Sequence, residues 1–177
     1  MKVRAEHDAV ELRLERLDAD RAGEVIQADT YYDAPHREFG ETDEALRIRR
    51  ERRPGEEADS RITYKGPLVD EVSKTREEVE TGVADGDRLG AILEHLGFDP
   101  VATVEKSRER YAVDGYTVTL DDVTGLGEFV EVEREVAEDD VETAREGAFD
   151  LVDRLGLDAD EGIRTSYLGM LLDGDGN

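Results

Sequence analysis

Five stretches of this chain alternate, with a period of two, between apolar residues and an ordered set of charged or hydroxylated ones. Within Ala45 to Arg53, Leu46 and Ile48 fall on one side of an extended backbone and Arg47, Arg49 and Glu51 on the other. Between Ser73 and Val83, Lys74, Arg76, Glu78 and Glu80 share a side. Lys106, Arg108 and Arg110 do the same, as do Thr117, Thr119 and Asp121, and then Phe129, Glu131, Glu133 and Glu135. Any one of these strands could belong to an ordinary one-sided sheet with a solvated polar face. Five in one chain are better explained if about eight antiparallel strands close into a barrel with helices on its apolar outer face, which makes the charged side a lumen. Charges in a narrow lumen are costly unless paired, hydrated or held by a ligand. Cations on some strands and carboxylates on others suit a polyanion bridged by a divalent metal.

The remaining segments supply turns and helices. Val10, Leu14 and Leu17 recur at helical spacing behind Asp8, which predicts a helix with Asp8 as its N-cap. Val25 to Tyr32 reads as a strand, and Ser60 to Lys65 as another that Gly66 and Pro67 end. Leu89, Ile92, Leu93 and Leu96 line one side of a helix from Asp85 to Leu96, with Gly97 as its stop. Strands are expected at Val101 to Val113, Tyr116 to Asp121 and Glu128 to Val136, with turns at Asp114-Gly115 and Gly125-Leu126-Gly127. Helices follow at Asp139 to Leu155 and Ser166 to Leu172, and residues 173–177 read as a flexible tail. The expected class is α+β, mainly antiparallel, as a single domain over residues 1–172.

At 177 residues the chain can bury a real core even with 40% charged residues. It has no cysteine, which excludes a disulfide framework, a thiolate metal site and a thiol nucleophile. No apolar run approaches the roughly 20 residues of a membrane span and the N-terminus shows no signal pattern, so a soluble, cytoplasmic protein without membrane contact is expected. The 47 acidic and 23 basic residues leave a formal charge of −24, a balance that resembles proteins adapted to concentrated salt. It also excludes an extended cationic surface for nucleic acid. Of the 23 cations only four are lysines: Lys2, Lys65, Lys74 and Lys106. Basic residues number 11 in residues 1–53, eight in 54–120 and four in 121–177, so cationic chemistry is expected in the first two thirds.

Six blocks in order resemble one known family: Tyr31-Tyr32-Asp33, Thr42-Asp43-Glu44-Ala45-Leu46-Arg47-Ile48-Arg49, Tyr64-Lys65-Gly66-Pro67, Val104-Glu105-Lys106-Ser107-Arg108, Leu120 through Glu133, and Ser166-Tyr167-Leu168. The chain is similar to the CYTH domain, the family of class IV adenylate cyclases and thiamine triphosphatases. These are also called triphosphate tunnel metalloenzymes. The resemblance spans nearly the whole chain and implies an eight-stranded antiparallel tunnel that binds a triphosphate with Mg²⁺ or Mn²⁺.

Carried over position by position, the resemblance implies phosphate binding by Lys2, Arg47, Arg49, Lys65, Lys106 and Arg108, with Arg76 as a further candidate. Lys65, Lys106 and Arg108 are the expected catalytic cations. Lysine at these positions runs against the arginine preference of the chain, and a compact ammonium with rotatable donors suits a phosphate or metal-bound oxygen. Glu131 and Glu133 match the metal-binding carboxylates of the last strand, Glu78 and Glu80 are supporting acidic positions, and Asp121 is a metal or adenosine-side ligand. The family's first strand also carries a Glu-x-Glu-x-Lys signature. With Lys2 as its lysine, both glutamates fall ahead of Met1, and the expectation is that coding begins a few residues upstream; the in-frame codons there test it. Without that pair, metal binding is expected to be weak.

Other patterns carry less. His7, His36 and His95 are scattered and read as surface or cap residues. Gly125-Leu126-Gly127 is a hairpin element, since no phosphate-loop or dinucleotide fingerprint accompanies it. The blocks look most like the class IV cyclase branch, which converts ATP to cyclic AMP and pyrophosphate. A triphosphatase acting on thiamine triphosphate, nucleoside triphosphate or tripolyphosphate is the alternative, as is a triphosphate-binding module without turnover. A homodimer is left open.

Overall fold

The computed structural model describes residues 1–70, 75–134 and 141–174. Among them eight strands form one antiparallel sheet: β1 (Lys2–Arg4), β2 (Asp20–Asp33), β3 (Ala45–Arg52), β4 (Asp59–Asp70), β5 (Thr75–Val83), β6 (Asp99–Val113), β7 (Tyr116–Val123) and β8 (Gly127–Glu133). Their order is β1-β8-β7-β6-β2-β3-β4-β5. The helices are α1 (His7–Arg16), α2 (Gly86–His95), α3 (Val141–Arg154) and α4 (Tyr167–Gly174). The expected α+β, mainly antiparallel class is the one observed. None of the described helices is long and apolar enough to cross a membrane. The chain divides into two compact units, Met1–Val25 with Lys106–Asn177, and Ile26–Glu105.

In the first unit the apolar side of the alternation is the core. Val3 of β1, Val118 and Leu120 of β7, and Val130 and Val132 of β8 pack against Val10 and Leu14 of α1, Leu151 and Val152 of α3, and Leu155 just after it, each with almost no exposed surface. Full burial of such side chains contributes about 1.5–3 kcal/mol each relative to exposure. Two contacts fix the helices on the sheet. The His7 backbone N–H at the start of α1 donates to Glu128 Oε2 at 2.9 Å, and the Tyr116 hydroxyl donates to the Ala144 carbonyl of α3 at 2.9 Å. The Tyr116 contact requires Gly147, where a Cβ would lie 2.2 Å from the hydroxyl.

In the second unit Tyr32, Phe39, Leu46, Ile48 and Leu93 form the core, with Ile62, Tyr64 and Leu89 packed against it. Helix α2 covers this apolar side, capped by Asp85, whose side chain accepts from the Arg88 N–H. In both units, therefore, helices take the apolar faces and leave the charged faces to the other side of the strands.

Several boundaries differ from expectation. β4 does not stop at Gly66 and Pro67 but runs on to Asp70. Its pairing with β5 shifts register between Lys65 and Leu68, and a bulge is where a strand accommodates a proline that cannot donate to the ladder. α1 begins at His7, so Asp8 lies in its first turn and not at the cap. There the helix dipole favours its charge. β2 and β6 begin earlier than expected, at Asp20 and Asp99. Asp114-Gly115 forms the expected two-residue hairpin, both residues at positive φ. The expected extensions of β8 beyond Arg134 and of α3 before Val141 lie outside the described residues, as does Lys74. The last helix continues to Gly174, and residues 175–177 are outside the description.

Candidate functional site

Directly opposed residues of an antiparallel pair share a face. In the first unit the register sets Lys2 opposite Glu131, Glu131 opposite Thr119, Thr119 opposite Arg110, and Asp121 opposite Arg108. At the centre is Asp121, with no exposed surface. Arg108 forks it, Nε donating to Oδ1 at 2.6 Å and Nη2 to Oδ2 at 2.5 Å, while Nη2 also donates to Glu131 Oε2 at 3.0 Å. Lys106 Nζ lies 3.8 Å from Oδ2, and the Tyr167 hydroxyl donates to the same oxygen at 3.0 Å. Burial disfavours the Asp121 charge, yet the hydrogen bonds from Arg108 and the charge of Lys106 outweigh it and hold the carboxyl below its usual range. Burial likewise opposes the Arg108 charge, and Asp121 and Glu131 overcome it. For Tyr167, burial and then the Asp121 charge push the phenol well above its usual value, so it stays a donor.

Lys2 joins this group from β1. Its Nζ donates to the Thr165 carbonyl at 2.5 Å and stands 4.3 Å from the Tyr167 ring centroid. Lys106 Nζ is 5.0 Å from the same centroid. Glu133 lies two residues beyond Glu131 on β8, opposite Thr117, and its charge adds to the field at Arg108.

The second unit builds a parallel arrangement on Asp29 of β2, which is 2% exposed. Arg49 stands opposite it and forks it at 2.6 and 2.7 Å; Arg47 reaches the same carboxylate at 3.3 Å. The Arg47 Nε is buried without a hydrogen-bond partner, which is uncommon for a buried donor. Gln27, fully buried, donates to Glu51 at 2.5 Å. Burial raises the Tyr31 phenol above its usual value against the opposing charge of Arg47. On the neighbouring strands Thr63 donates to Glu80 at 2.8 Å and Arg61 pairs with it at 3.3 Å. The Thr63 bond leads in holding the Glu80 carboxyl below its usual range, with burial opposing. Lys65 pairs with Glu78 at 3.1 Å.

The expected residues thus fall in two sets, Lys2, Lys106, Arg108, Asp121, Glu131 and Glu133 in one unit, and Arg47, Arg49, Lys65, Glu78 and Glu80 in the other, where Arg61, not expected from sequence, pairs with Glu80. Arg76 is used differently. Its guanidinium donates to the Gly66 and Asp43 carbonyls and meets the Asp43 carboxylate at 3.4 Å, fastening the segment before β3 to β4. Asp29 and Tyr167 are central to these networks without having been assigned a role from sequence. An aspartate in mid-strand, where that residue is disfavoured, was the available signal for Asp29. Among the described residues no three His, Asp or Glu side chains converge to hold a cation by themselves. The carboxylates are engaged with cations instead: Asp121 and Glu131 with Arg108, Glu78 with Lys65, Glu80 with Arg61.

Comparison with known proteins matches residues 1–167 to the CYTH domain. A protein of Methanocaldococcus jannaschii named "Putative adenylate cyclase MJ0240" is 38% identical over 144 residues, which is 81% of this chain and 79% of that protein. The adenylate cyclase CyaB of Aeromonas hydrophila is 28% identical over 144 residues, 80% of this chain and 70% of its own length. Among solved structures, a protein of Pyrococcus horikoshii superposes with a TM-score of 0.85 at 40% identity, covering 98% of this chain and 97% of that one.

Proposed function

Because this chain belongs to the CYTH domain family, we propose that it is an adenylate cyclase of the class IV type, acting on ATP that carries Mg²⁺ or Mn²⁺. In that reaction the ribose 3′-oxygen bonds to the α-phosphorus, the bond from that phosphorus to the bridging oxygen breaks, the 3′-hydroxyl proton leaves, and cyclic AMP and pyrophosphate are released. The observation that carries the reading is the pairing of Lys106 and Arg108, two residues apart on one strand, around a fully buried aspartate in a chain of charge −24. Such an acidic molecule repels a polyphosphate unless its cations are concentrated where the anion sits.

Preorganised cations stabilise charge that builds on phosphate oxygens during in-line displacement, and they do so without reorganising at the moment of reaction. Asp121 and Asp29 hold Arg108 and Arg49 in fixed rotamers for that task. The buried Nε of Arg47 is a donor suited to an oxygen acceptor. Lys65, Lys106 and Arg108 are assigned as the catalytic cations, with Lys2, Arg47 and Arg49 binding the phosphates. The donor set fits a metal that arrives on the triphosphate better than a resident one, because Mg²⁺ commonly takes one or two carboxylates and completes its shell with phosphate and water oxygens. Glu131 and Glu133 are the pair assigned to it, and when bound it would neutralise charge on the phosphates.

Most of the assigned side chains are cations and carboxylates, the chemistry that meets phosphate oxygens and a divalent metal, which favours one second reading, a triphosphatase that directs water at the terminal phosphorus. Phosphorus NMR of the protein in high salt with Mg²⁺ or Mn²⁺ separates them, offering ATP, thiamine triphosphate and tripolyphosphate in turn. Cyclic AMP with pyrophosphate supports the cyclase, orthophosphate the triphosphatase, and binding without products refutes both.

A further inference from the structure

Tyr167 opens α4 with only 8% of its surface exposed. Its ring packs edge-on to Phe129, centroids 5.0 Å apart, and two of the four lysines in the chain stand over it, Lys2 at 4.3 Å and Lys106 at 5.0 Å. Its hydroxyl occupies Asp121 Oδ2, the oxygen that Lys106 approaches only to 3.8 Å. A charge-assisted hydrogen bond would close to about 2.7–2.9 Å. Two features of Tyr167 oppose that closure: the negative ring face attracts the ammonium, and the hydroxyl takes a lone pair of the competing carboxylate.

We propose that Tyr167 is a positioning residue that sets the spacing of the Lys2 and Lys106 ammonium groups and holds Lys106 off Asp121, so that both stand where triphosphate oxygens bind. The phosphate part rests on the reading above, whereas the spacing of the lysines does not. C-terminal α4 thereby acts on a cation set carried by strands.

Two measurements test this. In protein labelled with ¹³C at the lysine ε-carbon, assigned with K2R and K106R, ring currents place the ε-proton signals of Lys2 and Lys106 upfield of Lys65. Tyr167→Phe keeps that displacement and Tyr167→Leu removes it. Unshifted signals in the unsubstituted protein overturn the proposal whatever the substrate. In the second measurement, calorimetry with tripolyphosphate and Mg²⁺, Tyr167→Leu weakens binding about tenfold and Tyr167→Phe about threefold, the difference being the ring. Equal losses in the two variants, at matched thermal stability, assign the effect to the hydroxyl alone and overturn the role of the ring. An unsubstituted protein that binds no tripolyphosphate refutes the triphosphate reading, and the resonance measurement then judges the spacing on its own.

Discussion

Arg108 and Asp121 stand directly opposite one another on β6 and β7, and the guanidinium forks the carboxylate at 2.6 and 2.5 Å. Arg49 and Asp29 repeat the relationship on β3 and β2. In each unit a second cation, two residues before the arginine, approaches the same aspartate: Lys106 in one, Arg47 in the other. A buried carboxylate thus fixes a cationic strand twice within one chain, and the planar fork gives each arginine a single orientation.

Replacing Asp121 by Asn keeps the shape and removes the charge. Arg108, with 13% of its side chain exposed, would then be a buried cation short of its principal partner. Breaking a buried pair by removing one member costs on the order of 3–5 kcal/mol; Glu131 supplies partial compensation, so about 3 kcal/mol is expected from denaturant unfolding of D121N. A loss below about 1 kcal/mol would be the behaviour of an exposed pair and would contradict the geometry.

The same carboxylate makes stability depend on pH in a defined direction. Its pKa is lower folded than unfolded, so its contribution is complete above the unfolded value of about 3.9 and disappears as pH falls through the lowered folded one. The stability gap between the unsubstituted protein and D121N should therefore be constant from about pH 5 to 8 and narrow below about pH 4. A gap that narrows between neutral pH and pH 5 would assign it to another group.

Arg49→Lys separates charge from fork. Lysine keeps the cation beside Asp29 but cannot donate two parallel hydrogen bonds. With a hydrogen bond to a charged group worth about 1.5–3 kcal/mol, R49K should lose about 2 kcal/mol of stability. Tripolyphosphate binding should weaken as well, by about tenfold if one oriented contact is lost. Unchanged affinity in a stably folded R49K would remove Arg49 from the phosphate ligands.

The period-two alternation made the faces legible. Arg47 and Arg49, Lys106 and Arg108, and Glu131 and Glu133 share sides as read, because a side chain's face in a strand depends only on parity. What parity does not contain is the partner across the ladder. Asp29 acquires its meaning from lying opposite Arg49, 20 residues away, and Tyr167 from a hydroxyl contact with Asp121 across 46 residues. β2 also hides its signal: Ile26 is 48% exposed whereas Gln27 and Asp29 are buried, the reverse of the usual partition. The Gly66-Pro67 pair misled for a related reason, since a local strand-breaking signal is absorbed by a bulge whose existence depends on β5.

Salt should distinguish these buried clamps from the acidic exterior. With a formal charge of −24, the compact state is opposed by self-repulsion, which acts over a screening length of about 10 Å at 0.1 M ionic strength and 3 Å at 1 M. The melting temperature should rise between 0.1 and 1 M KCl. Exposed pairs such as Arg88 with Asp85, whose side chains are 86% and 49% exposed, contribute little at either concentration. Asp121 lies out of reach of the ions, so the stability decrement of D121N should be nearly the same at both concentrations even as each protein melts higher. A decrement that collapses in 1 M KCl would mean that the Arg108–Asp121 pair is open to solvent, and the preorganisation assigned to it would fail with it.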